Sequence, residues 1–153
     1  MNIIYKKPTL LDIENMQKLI KPEVDKGIIL YRSDDEMASN IRSYFIAELD
    51  GEIVGFCALQ IYSKKLAEIR SLIVKEGLRG KSIGKNLILN IEKEGKELGV
   101  KELFSLTYER GFFENLGYKE IDKDKLPEQK IWADCIKCKL FPVCKEIAFI
   151  KAI

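Results

Sequence analysis

Two apolar runs, Tyr44 to Leu49 and Ile53 to Ile61, flank the pair Asp50-Gly51. Asp-Gly between two apolar runs is a strong signal for a two-residue hairpin turn. The stretch therefore predicts an antiparallel hairpin, and with it a sheet that the other elements must serve. Ala67 to Val74 reads as a further strand. It runs into a glycine-bearing loop, Lys75 to Ser82, and then a long helix with an apolar stripe of Ile83, Leu87, Ile88, Ile91 and Leu98, capped at its C-terminus by Gly99. Leu103 to Thr107 follows as a buried strand, Phe112 to Leu116 as a short helix, Tyr118 to Ile121 as a return strand and Ile147 to Ile150 as a final strand. Upstream, Ile3 to Lys6 predicts an opening strand, then a helix capped by Thr9, with Ile13, Met16 and Ile20 on one face and Pro22 ending it. Ser33 and Glu36 have capping-box spacing before a short helix carrying Met37 and Ile41. The order is that of a mixed α/β (α+β) chain.

At 153 residues, 46% of them hydrophobic, the chain is expected to form a single domain over 1–153, with 127–153 a cysteine-containing extension that completes it. Its charges are interleaved and sum to +2, which argues against a nucleic-acid arm or a membrane-binding patch. The longest uncharged run, Ile53 to Ser63, falls well short of the roughly 20 apolar residues of a membrane span. Met1 to Lys7 lacks the apolar core of a secretory signal, so a cytoplasmic location is expected. There is no histidine. That removes Ser-His-Asp and Cys-His catalysis, histidine-bearing zinc sites and any histidine general base.

The most informative stretch is the strand Ile69 to Val74 followed by Arg79-Gly80-Lys81-Ser82-Ile83-Gly84-Lys85 and a helix. Glycines allow close backbone approach, the first helical turn offers N–H groups and the positive end of the dipole, and three cations stand around that point. A phosphate group fits such a place, although an ordinary strand-to-helix turn with solvated lysines has the same local pattern. Gly80-Lys81-Ser82 imitates the end of a Walker A loop, but the glycine required five positions earlier is Lys75. Gly77, Gly80 and Gly84 likewise miss the dinucleotide-binding spacing.

The order helix, hairpin, strand, Arg-Gly-x-x-Ile-Gly loop, long helix, strand and Phe112-Phe113-Glu114-Asn115-Leu116-Gly117-Tyr118 resembles the GNAT superfamily of acyl-CoA N-acyltransferases over roughly residues 3–121. The resemblance implies a mixed, mostly antiparallel twisted sheet flanked by helices, with acetyl-CoA as co-substrate. Its pyrophosphate would be held by backbone amides of Arg79, Gly80, Lys81, Ser82, Ile83, Gly84 and Lys85. The family usually has glycine where this chain has Ser82, and a serine there requires ordinary dihedrals. A narrower resemblance is to short bacterial amino-acid N-acetyltransferases of the N-acetylglutamate synthase type. It rests on residues 27–33, Glu68-Ile69-Arg70-Ser71-Leu72, Leu106-Thr107-Tyr108, the 112–118 motif and a tail running from Ile131 to Cys135 and on through Cys144 to Ala148.

An amine attacks only as the neutral base, and without histidine a carboxylate, acting directly or through water, is the natural proton acceptor. Glu68 holds the position at which the synthase-like family carries a glutamate base; a solvated strand-end carboxylate is the plain alternative. Backbone N–H groups of the strand, at Leu72, Ile73 and Val74, would polarise the acetyl carbonyl. Many relatives have a tyrosine general acid where this chain has Phe113, which cannot donate a proton and is left as an apolar contact for the coenzyme. Tyr108 is the nearby candidate acid, with a packed aromatic role or protonation of the thiolate by solvent as alternatives. A glutamate acceptor needs cationic partners, for which Arg32 and Arg70, with Ser71 beside them, are the candidates and Arg42, Lys64 and Lys65 the reserves.

Cys135, Cys138 and Cys144 form an incomplete metal set that no histidine can complete; Asp134, Glu146, Cys57 or a partner chain are the alternatives for a fourth ligand and redox sensing is another role, but reduced, packed cysteines without metal are the default expectation. The leading expectation is acetyl transfer to the α-amine of L-glutamate, at the start of arginine biosynthesis. The alternatives are another amine, such as a polyamine, an aminoglycoside or a protein N-terminus, or a phosphate- or metal-binding regulatory module without turnover. The final strand could complete its own sheet or that of a second copy, so a homodimer is one open outcome.

Overall fold

The computed structural model describes residues 2–127 and 146–153. In chain order the elements are β1 (Ile3–Lys6), α1 (Ile13–Asp25), α2 (Asp34–Ser39), β2 (Tyr44–Leu49), β3 (Glu52–Ile61), β4 (Leu66–Val74), α3 (Ile83–Leu98), β5 (Glu102–Thr107), α4 (Arg110–Asn115), β6 (Lys119–Ile121) and β7 (Ile147–Ala152). The strands form one seven-stranded sheet in the order β1-β2-β3-β4-β5-β7-β6, with every neighbouring pair antiparallel except β4 and β5. At the β2–β3 turn Asp50 has φ 51° and Gly51 φ 81°, the double left-handed geometry expected of Asp-Gly. The final strand serves its own sheet: β7 lies between β5 and β6 and pairs with both.

Helix α3 covers one face of the sheet with Ile83, Leu87, Ile88 and Ile91 against Val54, Cys57, Leu59 and Leu103. On the other face Ile13, Met16 and Ile20 of α1 and Met37 of α2 pack against Tyr44, Ile46, Ile53 and Phe56. Two readings of helix ends are corrected. Pro22 does not end α1; its fixed φ is helical, so it removes one hydrogen bond without turning the chain. The stop is Gly27 at φ 76°, with its N–H on the carbonyl of Val24 and the N–H of Ile28 on that of Glu23, the paired bonds of a Schellman cap. Leu98 was expected in the apolar stripe but is 60% exposed. The last turn of α3 instead packs through Gly95, whose added Cβ would lie 3.0 Å from Ile153, and the chain leaves at Gly99.

Thr9 caps a single 3-10 turn that leads into α1, accepting the N–H of Leu11 while Asp12 accepts that of Thr9. Ser33 caps α2 by accepting the N–H of Glu36. The Glu36 carboxylate does not return to close a box, because Arg32 holds it at 2.8 Å. The cysteines at 135, 138 and 144 lie outside the described residues. The fourth, Cys57, is fully buried against α3, where desolvation pushes its thiol pKa up and keeps it protonated.

Candidate active site

The cleft arises where β4 and β5 part. Their parallel ladder runs only from Leu66 to Glu68 against Glu102 to Phe104. One step on, the Ser105 hydroxyl donates to the Ile69 carbonyl at 3.0 Å, and beyond it the two strands diverge. Among the described residues, backbone groups of β4 after Ile69 therefore face a gap and not a neighbouring strand on that side. Such groups are hydrogen-bonding positions for whatever fills it.

A bulge redirects β4 at the same place. Phe56 pairs with Ile73 and Ala58 with Arg70, so Ser71 and Leu72 together oppose Cys57, and Ser71 takes φ 59°. The extra residue reverses the side-chain alternation: Ile69 packs with the α3 cluster, whereas Ile73 packs with the α1 cluster. It also turns the backbone of residues 71–74 toward the cleft.

The cleft has a volume of about 900 Å³. Its floor is β4 from Glu68 to Val74, and one wall is the loop and first turn of α3. The other wall runs from Ser105 to Glu109 with Phe112, Phe113 and Asn115, and residues of the segment 27–32 close the remaining side. Of the leading site residues expected from the sequence, all line this space except Lys81, which is exposed and lies off it; the reserves Arg42, Lys64 and Lys65 lie off it too. Left-handed residues on both sides of Lys81, Gly80 at φ 83° and Ser82 at φ 66°, turn that side chain outward. Ser82 thereby corrects the expectation of ordinary dihedrals: the serine takes a left-handed backbone conformation.

Gly80 and Gly84 are required for different reasons. A Cβ at Gly80 would meet nothing within 4 Å, so its backbone angle is the constraint. Gly84 is an ordinary helical residue whose Cβ would lie 3.4 Å from Phe112 Cζ and 3.6 Å from Val74 Cγ2. Space matters there. The first-turn N–H groups of this 16-residue helix, with the exposed Lys85 beside them, suit a pyrophosphate. Arg79 reaches the cleft edge tethered at both ends of its guanidinium, Nε donating to the Val74 carbonyl at 3.3 Å and Nη2 lying 3.5 Å from Glu23.

Glu68 is buried at the point of divergence and accepts a hydrogen bond from Tyr62 at 2.9 Å. Arg70 stands two residues on, half-buried, and Arg32 is buried on the opposite side of the cleft with Nη1 on Glu36. Gln17 anchors that segment by donating to the Arg32 carbonyl at 2.7 Å. Tyr108, at the end of β5, is 41% exposed at the mouth. Phe113 touches the cleft but is mostly a core residue, stacked on Phe149 and edge-on to Tyr118. Phe112 is the ring that faces Gly84, and reading the sequence missed it, as it missed Tyr62.

A sequence model of the Acetyltransferase (GNAT) family matches residues 10–118. The chain belongs to the GNAT family. Acetyl-CoA is its co-substrate, and N-acetyl transfer its class of reaction. An uncharacterized N-acetyltransferase of Chlorobaculum tepidum is 42% identical over 94% of this chain and 92% of its own length. The amino-acid acetyltransferase of Pasteurella multocida is 33% identical over 80% of this chain, but the match spans only 28% of that longer protein. In three dimensions, the N-acetylglutamate synthase of Neisseria gonorrhoeae, solved with coenzyme A and N-acetyl-glutamate, superposes with a TM-score of 0.87 at 23% identity. That match covers 99% of this chain and 35% of the synthase chain. Among the described residues of this GNAT chain, no helix is long and apolar enough to cross a membrane.

Proposed function

We propose that this chain acetylates the α-amine of L-glutamate from acetyl-CoA, the N-acetylglutamate synthase reaction of arginine biosynthesis, in the cytoplasm. The observation that carries the reading is the convergence of Arg32 and Arg70, from separate elements, on the cleft into which Glu68 opens. Two guanidinium groups match the two carboxylates of glutamate, and a carboxylate beside them receives the proton of the amine. Arg32 shares its charge with Glu36 at 2.8 Å, which holds its guanidinium in place at the cleft.

The loop and α3 residues, Arg79, Gly80 and Ser82 to Lys85, hold the pyrophosphate. The N–H groups of Leu72 to Val74 polarise the acetyl carbonyl. As the new C–N bond forms and the C–S bond breaks, the amine proton passes to Glu68, directly or through water, and the Tyr108 hydroxyl protonates the departing thiolate. A cationic amine is the competing acceptor, because Glu109 and Glu146 also line the cleft.

Arg70→Ala separates these acceptors. The glutamate reading expects KM for glutamate to rise about tenfold or more with KM for acetyl-CoA unmoved. An unchanged glutamate KM removes Arg70 from acceptor binding.

A further inference from the structure

In the β3–β4 register Glu68 lies opposite Gln60, which makes Tyr62 its diagonal neighbour on the same face. The Tyr62 hydroxyl donates to Glu68 Oε1 at 2.9 Å, and the glutamate is only 2% exposed. A hydrogen bond to a carboxylate screened from water constrains its orientation strongly. The tyrosine ring is itself fixed independently of the carboxylate. It stacks on Phe104 with centroids 5.8 Å apart and planes 29° from parallel, and it packs beside Leu66 against the small core of Phe104, Leu126 and Ala148. Its own N–H donates to the Leu66 carbonyl at 3.0 Å. Ser63 Oγ accepts the N–H groups of Lys65 and Leu66 at 3.2 and 3.0 Å, closing the turn.

We propose that Tyr62 is a positioning residue for acetyl transfer: by gripping Oε1 from a stacked ring, it fixes the Glu68 carboxylate plane where β4 and β5 part. Each incoming amine then meets the same edge of the base. This inference rests on Glu68 being the base, so its test must separate the two.

The substitution Tyr62→Phe keeps the ring and its stacking while removing the donor. Its kinetics are measured in the wild-type and Glu68→Gln backgrounds, on whichever acceptor yields product. A fixed carboxylate predicts that Tyr62→Phe lowers kcat roughly tenfold, the loss of one hydrogen bond to a charged group. Both KM values should stay within about twofold, because neither substrate touches Tyr62. In Glu68→Gln, with no base left to position, the residual kcat should be insensitive to the same change.

Wild-type kcat in Tyr62→Phe, or the same fold loss in both backgrounds, overturns the positioning role and leaves Glu68 as base. Wild-type turnover in Glu68→Gln overturns the base and Tyr62 together, as does the absence of product with every acceptor. If Glu68→Gln has no measurable turnover, Tyr62→Phe decides alone. A drop in kcat at constant KM supports the proposal, and a rise of both KM values with kcat kept overturns it.

Discussion

Gly84 is the second residue of α3 and has an ordinary helical φ, so replacing it strains no backbone. An added Cβ would lie 3.4 and 3.5 Å from Cζ and Cε1 of Phe112 and 3.6 Å from Val74 Cγ2, touching without overlap. Gly84→Ala should therefore fold, with up to about 1 kcal/mol gained from helix propensity. Gly84→Val extends two methyl groups about 1.5 Å further from contacts already close to the roughly 3.5–4.0 Å of a relaxed carbon pair. Overpacking on that scale costs about 1–3 kcal/mol. Gly84, Phe112 and Val74 all line the cleft, so the overlap is relieved by reshaping the wall proposed to receive the coenzyme. Coenzyme A affinity should fall roughly 5- to 150-fold. Calorimetric titration of coenzyme A into wild type, Gly84→Ala and Gly84→Val reads this directly, with thermal unfolding to confirm the fold. A folded Gly84→Val protein with the wild-type Kd would refute the placement of the cradle.

Three further outcomes are expected. Glu68→Gln should depress kcat by about 100-fold or more while leaving coenzyme A binding nearly intact, as for any general base; stopped-assay kinetics with titration check both. Ser82→Gly should relieve the left-handed serine by about 1 kcal/mol and raise Tm by roughly 2–4 °C. A lower Tm in calorimetry would show that the serine side chain stabilises the loop. Lys151 donates to Glu92 at 3.1 Å and to the Leu116 carbonyl at 2.9 Å, and Tyr118 donates to the same Glu92 oxygen at 2.7 Å. Lys151→Met should cost about 2 kcal/mol, less than a fully buried pair because Lys151 keeps 29% of its side chain in solvent. A urea midpoint unchanged from wild type would contradict that.

The sequence carried the local signals faithfully where backbone chemistry is specific. Asp50-Gly51 and Gly99 stand at the left-handed positions their residue types demand, and the glycine loop does meet α3 at a cleft. Pro22 misled because proline in a helix costs one hydrogen bond while keeping a helical φ; the terminator was Gly27, five residues on. Ser71 and Ser82 adopt left-handed angles that serine does not advertise, so neither the bulge nor the turn beside Lys81 was legible. Long-range placement was the other gap. The insertion of β7 between β5 and β6 depends on pairing across distant sequence. Tyr62 could have been found from the hairpin register once Glu68 was singled out, since diagonal neighbours two residues apart share a face. Phe112 had no such signal, because adjacent aromatic residues on a short helix do not say which one faces the cleft.

The central claim, acetyl transfer to glutamate, is tested most directly by mass spectrometry of products after incubating the protein with acetyl-CoA and a panel of amino acids and polyamines. Mass detection avoids the four cysteines, which would confound a thiol-reactive assay. N-acetylglutamate is the expected dominant product, lost in Glu68→Gln. Acetylation of a polyamine with glutamate untouched would contradict the acceptor assignment.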